Sequence, residues 1–277
     1  MENTINITAT DVNKLRGMTG AGMMDCKKAL MEANGDFEAA IDFLRKKGQK
    51  VAVNRSDRDA KEGVILAKTT ADSTRGVMVV LNCETDFVAK TDDFINFTNQ
   101  ITDLALNEKP ADIEALKALQ LNGLPVSDRL FDMIGKIGEK IDISRFEVVE
   151  APFVIVYNHP GNKLASMVGF NTVAGAEVGK DVAMQIAAMA PVAVDKDDVD
   201  ATIIAREIEI GKEQAREEGK PEDMLEKIAM GKLAKFYKEN TLLNQSFVKE
   251  DSLTIRQLLE KTEKGLTVTA FKRIKLG

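Results

Sequence analysis

"VMVVLNCETDFVAK", Val77–Lys90, changes pattern halfway along. The apolar run Val77–Leu81 has the length and composition of a buried strand. Soon after, Phe94, Phe97, Ile101 and Leu104 recur at helical spacing, which predicts a helix beginning near Thr91. Upstream, "GVILAKTT" (63–70) and the polar turn "ADSTRG" (71–76) supply the other arm of a hairpin. A hairpin feeding an amphipathic helix places the chain in the α+β class. Asp86 and Phe87 fall between strand and helix, where a surface loop would concentrate binding residues. Two readings fit them. Thr85 and Asp86 could cap a turn while Phe87 folds back as a hydrophobic staple. Alternatively Phe87 is an exposed aromatic beside a carboxylate, held out by a rigid strand and helix. Residue types alone leave both open.

The pattern recurs downstream. "RFEVVE", "FVIVYN" and "KLASMVGFNTV" read as strands, with "HPGN" (159–162) as a hairpin turn. A helix with Val178, Val182, Ile186 and Met189 on one face follows. Two similar α/β halves are therefore expected, 63–141 and 142–197 plus 240–277. Aligned on these helices, the first strand-to-helix corner is four residues longer, and the excess falls at "TDFV". Further helices are predicted at Ile113–Leu119 and from Ser127 to about Lys140. Val199–Glu218 and Pro221–Lys238, joined by "EGKPED", read as an antiparallel helical hairpin inserted at 198–239. A short helix, "IRQLLEKT", and a strand, "LTVTAFKRIKL", close the chain.

Residues 1–50 read as a compact module of three helices. "TATD" (Thr8–Asp11) is an N-cap pattern ahead of Val12 and Leu15. The second helix runs from about Ala21 to Glu32, with Met23, Cys26, Leu30 and Ala33 on one face; Met24 lies about 100° off that stripe. Met23 is accordingly expected in the core and Met24 outside, as an adaptable contact; both in the core is the alternative. Gly35 and Asp36 punctuate the chain before a third helix with Phe37, Ala40, Ile41 and Leu44, expected to stop at Gly48. The charged stretch 51–62 reads as a solvated linker.

Lys plus Arg number 38 against 44 Asp plus Glu, a net charge of −6 that argues against a broad nucleic-acid surface. One histidine and two distant cysteines, Cys26 and Cys83, cannot assemble a zinc site and suggest reduced thiols. His159 reads as a turn residue. "GMTGAGMM" follows a helix and lacks GxGxxG spacing, and "GKIGEK" lacks GK[ST], so neither is a nucleotide loop. No carboxylate pair stands out as acid and base. The expectation is a soluble, cytoplasmic protein without cofactor, metal or catalytic group, neither secreted nor membrane-spanning.

"LRGMTGAGMMDCKKALMEANGD" (Leu15–Asp36) and "NCETDFVAK" (Asn82–Lys90) resemble the signature stretches of the elongation factor Ts family. "GKIGEKIDI" is similar to a third, and the order matches along the chain. The resemblance implies an N-terminal ubiquitin-associated-like (UBA-like) module, a core of two similar halves and an inserted helical hairpin. It implies a nucleotide-exchange factor that releases GDP from the GTPase elongation factor Tu. Thr85, Asp86, Phe87 and Val88 would then enter that GTPase near its magnesium site, with Phe87 as a wedge. Arg16, Met23 and Met24 match the positions where the module touches the GTPase. Gln185 stands where relatives often have a histidine, and no role is carried onto it. The chain stops just past its last strand, without the further C-terminal segment of some relatives. A non-catalytic adaptor, binding through the three-helix module and dimerising through the core, is the alternative function.

Overall fold

The computed structural model describes residues 7–277, so the first six residues of the expected 1–50 module lie outside the described residues. Helix α1 (Ala9–Thr19) starts at a capping box, in which the Asp11 amide donates to Thr8 Oγ1 and the Thr8 amide donates to Asp11. Gly20, at φ 68°, ends it. Helix α2 (Met23–Glu32) packs Cys26, Ala29 and Leu30 against Val12 and Leu15 of α1. Helix α3 begins at Phe37, capped by Asp36, and adds Ala40 to that small core.

Contrary to expectation, α3 does not stop at Gly48; it continues to Asn54. A Cβ at Gly48 would lie 2.0 Å from the carbonyl oxygen of Phe131. The glycine is a packing notch, and the neighbouring backbone makes up for its poor helix propensity. The stretch 51–62 is thus no uniform tether: Val51 and Ala52 are helical and pack on the core.

Strands β1 (Glu62–Thr69) and β2 (Arg75–Cys83) form the expected antiparallel hairpin. Helices α4 (Asp86–Ala89), α5 (Asp92–Glu108) and α6 (Ile113–Ala118) follow. The small ladder β3 (Gln120–Leu121) and β4 (Leu124–Pro125) leads into α7 (Val126–Ile137). Gly138, at φ 81°, ends α7 before the predicted Lys140. Strand β5 (Asp142–Glu150) then pairs with β2, completing the sheet β1-β2-β5. A boundary at residue 142 would cut this strand from its own sheet, so the first half extends to Glu150. Side-chain pattern alone could not say which sheet β5 would join.

Strands β6 (Phe153–Asn158) and β7 (Leu164–Phe170) and helix α8 (Ala176–Met189) repeat the hairpin-then-helix plan. Helices α9 (Ala201–Glu217) and α10 (Glu222–Asn240) intervene. Then come β8 (Ser246–Phe247), β9 (Glu250–Thr254), α11 (Ile255–Thr262) and β10 (Val268–Lys275). Strand β10 lies beside β7, giving the sheet β10-β7-β6. In both sheets the second hairpin strand is central and a later strand closes the far side.

The continuous apolar run in β2 now has a cause. Val77, Val79 and Leu81 face the core formed with α5 and α7, whereas Met78 and Val80 face the other sheet. A strand buried on both faces loses its polar alternation. Between the sheets, Ile65, Ala67, Met78 and Val80 meet Val154, Ala165, Met167 and Ile274. The outer edge of β1 is covered too. The Asn158 side chain bonds both the N–H and the C=O of Ala67, and the Ile65 amide donates to Asn162 O at 2.7 Å.

Helices α9 and α10 touch where Gly211 meets Ala229, and their ion pairs Lys212–Glu226 and Arg216–Glu222 run in opposite chain directions. Small residues let the two backbones approach. The isoleucines of α9, Ile203, Ile204, Ile208 and Ile210, are only half-buried, while Gly211 and Ala215 are buried. Chain exit and return are tied at the base, where the Leu242 amide donates to Ala193 O and the Val192 amide to Asn240 O.

Candidate functional site

At the end of β2 the chain passes from a buried strand to a one-turn helix. Cys83 is buried and its thiol donates to Thr85 O at 3.1 Å. Thr85 is the N-cap of α4; its Oγ1 accepts from the Val88 amide, and its carbonyl accepts from the Ala89 amide. Thr91 then caps α5, so two capped helices follow one another almost without a gap. Within α4, Ala89 is buried and Val88 packs against the core, which turns Asp86 and Phe87 outward. Phe87 is 80% exposed, the most exposed large apolar side chain among the described residues. The exposed-aromatic reading describes the ring's position, and the cap-and-staple reading is half met. Thr85 caps the turn, but the ring does not fold back as a staple.

The Lys90 ammonium, 2.6 Å from Asp86, holds the Asp86 carboxyl below the usual carboxylate range. Lys163, paired with Glu62, contributes in the same direction from the second sheet's hairpin turn. Asp86 is thus charged and reaches out beside the ring.

The turn is braced from behind by residues that pattern reading passed over. Glu139, just past α7, accepts from the amides of Glu84 and Thr85 at 3.1 and 3.0 Å and from Thr85 Oγ1 at 2.7 Å. In return Glu84 accepts from the Lys140 amide at 2.7 Å and from Arg55 Nη1 at 2.7–2.8 Å. Burial alone would push the Glu84 carboxyl up; the Lys140 and Arg55 donors outweigh it and hold it below its ordinary value. Lys140 Nζ also donates to the carbonyls of Ser56 and Arg58. Arg55 directly follows α3, so three chain segments meet behind the turn. The charged stretch containing Arg55 reads as a tether, and "GKIGEK" offers no local pattern pointing to Glu139. Only the packing of α3 and α7 brings them to Glu84.

The N-terminal candidates lie apart from this turn. Arg16, Met23 and Met24 are all exposed, Met23 at 53% and Met24 at 72%. The expectation that Met23 is core is therefore corrected. Met23 opens α2, one turn before Cys26, and the buried stripe starts only at Cys26. Both methionines line a shallow groove of about 320 Å³ with Ile7, Val12 and Lys27. Besides the α3–Arg55 route, the module reaches toward the turn through Lys136. Lys136 of α7 lies against Gly20 and pairs with Asp93, in the first turn of α5, at 2.6 Å. Gln185 is buried with both ends of its amide used, by Gln245, Ser246 O and the Val248 amide. It holds β8 and the following turn to α8.

A large aromatic side chain is held out on a braced turn, and a methionine-lined groove lies on the N-terminal module, so the exposed apolar side chains sit where a binding surface could form. Comparison with known proteins gives the family. A family model described as "Elongation factor TS" matches residues 84–277. The chain is 56% identical over 275 residues to the elongation factor Ts of Cytophaga hutchinsonii and 54% identical over 274 residues to that of Amoebophilus asiaticus, each covering 98% of this chain and 99% of the relative. The elongation factor Ts of Chloroherpeton thalassium is 47% identical over 284 residues, covering 98% of each chain. The chain belongs to the elongation factor Ts family, the nucleotide-exchange factors of translation elongation.

Proposed function

We propose that this protein promotes release of GDP from elongation factor Tu in the cytoplasm by inserting the turn Thr85–Val88 near the GTPase's magnesium site. The observation that carries this reading is the exposed Phe87 ring, which makes no contribution to its own core, next to the charged Asp86. Phe87 is the wedge, Asp86 anchors the intruding turn, and Thr85 and Val88 fix the turn's shape. Arg16, Met23 and Met24 on the N-terminal UBA-like module form a second contact with the GTPase. Thioethers suit such a surface because they adapt to the partner at little cost. The two α/β halves place the turn, and α9–α10 form a hairpin inserted in the second half.

The physical logic is linkage. A factor that binds best to a distorted nucleotide site weakens nucleotide by the same factor as nucleotide weakens the factor. Exchange of this kind breaks no covalent bond and requires no acid, base, metal or cofactor from the factor itself.

The experiment compares Phe87→Ala and Asp86→Ala by thermal melts and by stopped-flow release of a fluorescent GDP from elongation factor Tu. Phe87→Ala should leave stability within about 0.5 kcal/mol, as for other surface substitutions. Release at saturating factor should slow markedly, and binding to nucleotide-free GTPase should weaken less. Asp86→Ala should show a milder form of the same loss. Unchanged release at saturation in Phe87→Ala would sink the wedge. An adaptor would bind without accelerating release at all.

A further inference from the structure

Behind the exposed turn, two carboxylates are used in opposite senses. Glu139 receives three donors from Glu84 and Thr85, while Glu84 receives the Lys140 amide and the Arg55 guanidinium. The Glu84 side chain is 12% exposed and that of Arg55 34%, so this pair is better shielded than an ordinary surface ion pair. Charge-assisted bonds of this kind are stronger than neutral ones, and both residues project from segments fixed by packing. Arg55 follows α3, whose Gly48 meets the α7 backbone; Glu139 follows α7. The turn itself is short, and without the clasp it would be held by its caps, the Cys83 thiol and the Val88 and Ala89 contacts. A wedge acts only if it is stiff, because a loose turn spends its contact energy on ordering itself.

We infer that Glu139, Glu84 and Arg55 are positioning residues that preform the Phe87 turn and tie it to the α3–α7 crossing. The inference rests on the exchange reading for its functional consequence; its mechanical half does not. Losing the clasp leaves Phe87 present but its turn able to yield. Release should then slow by a change in the rate at saturation more than in the affinity for nucleotide-free GTPase.

The test uses the full chain carrying Glu139→Ala and, because one variant could fold poorly, also Arg55→Met. The mechanical readout is hydrogen exchange of the amides of residues 84–90 in the free protein. Their exchange should speed about tenfold or more, as expected when charge-assisted bonds are removed. Amides within β2 and α5 should keep their rates. GDP release from elongation factor Tu at saturating factor should fall several-fold, and Glu139→Gln, which keeps an acceptor oxygen, should recover part of both effects. Unchanged exchange at 84–90 in both variants would overturn the inference, as would a loosened turn with undiminished release while Phe87→Ala slows it. If Phe87→Ala itself leaves release unchanged, the exchange reading fails, and hydrogen exchange alone decides whether the clasp holds the turn.

Discussion

Single side chains around the turn do different physical jobs although they are neighbours in sequence. Phe87 is left in water, Val88 and Ala89 hold α4 down, and Cys83 donates to the turn from within the core. Burial, then the Glu139 and Glu62 carboxylates, push the Cys83 thiol up to about 12 from its ordinary 9. The folded state therefore keeps the thiol proton at pH values where the unfolded chain releases it. This stability is fully present below about pH 9 and is lost as pH rises toward 12. Denaturation midpoints measured across that range should fall more steeply for the native protein than for Cys83→Ala. Equal slopes would show that the thiol does not report on folding. Met23→Ala and Met24→Ala should both leave the melting temperature nearly unchanged, since both side chains are exposed. A Met23→Ala loss of 2 kcal/mol or more, the ~2–5 kcal/mol range of buried methionine truncation, would return Met23 to the core.

At the scale of elements, glycines decide two crossings. Gly48 lets α3 lie on the α7 backbone, and Gly211 lets α9 lie on Ala229 of α10. A side chain at Gly48 meets a carbonyl oxygen at 2.0 Å, with no flexible group to move aside. Gly48→Val should therefore strongly destabilise the protein or shift the module off the core, and the loss should be visible in a denaturant melt. Wild-type stability in that variant would mean that α3 does not sit where Gly48 meets Phe131. The α9–α10 pair is attached through a closed base, at Ala193 and Asn240–Leu242. Replacing 200–239 with a short Gly-Ser turn should leave the rest cooperatively folded, because loop closure across adjacent ends costs little. A broad, non-cooperative melt would show that the pair is part of the core.

Across the whole molecule, the two sheets share one apolar interface, so the halves are not independent units. Met78 belongs to the first sheet, is fully buried and packs toward Met167 and Val154 of the second. Met78→Ala should cost about 2–5 kcal/mol and lower a single unfolding transition that carries both halves together. Two separated transitions in the calorimeter would show that the halves fold alone. The clasp works at this scale as well. It joins the segments after α3, β2 and α7, and so fixes the N-terminal module, the core and the exposed turn to one another.

Local pattern was enough for the hairpins, for the Phe94–Ile101 helix face and for the caps at Thr8 and Asp36. These depend on side-chain periodicity and on hydrogen bonds within a few residues, both of which are written locally. The likeness of the two halves was also visible, because each repeats strand, turn, strand, helix. Gly48 looked like a stop, since glycine's intrinsic preference points that way, and only the Phe131 carbonyl above it shows a notch. Met23 looked buried because its spacing continues the stripe, yet at the first turn of α2 the stripe opens onto a groove beside α1. Pattern puts β5 with the second half, but it joins the first sheet, through a pairing with β2 that links residues 60 or more positions apart. The direction of Phe87 and the clasp behind it belong to the same class. Glu139 reaches Thr85 across 54 positions and Arg55 reaches Glu84 across 29, distances at which sequence pattern carries no signal and only packed backbone brings charges together.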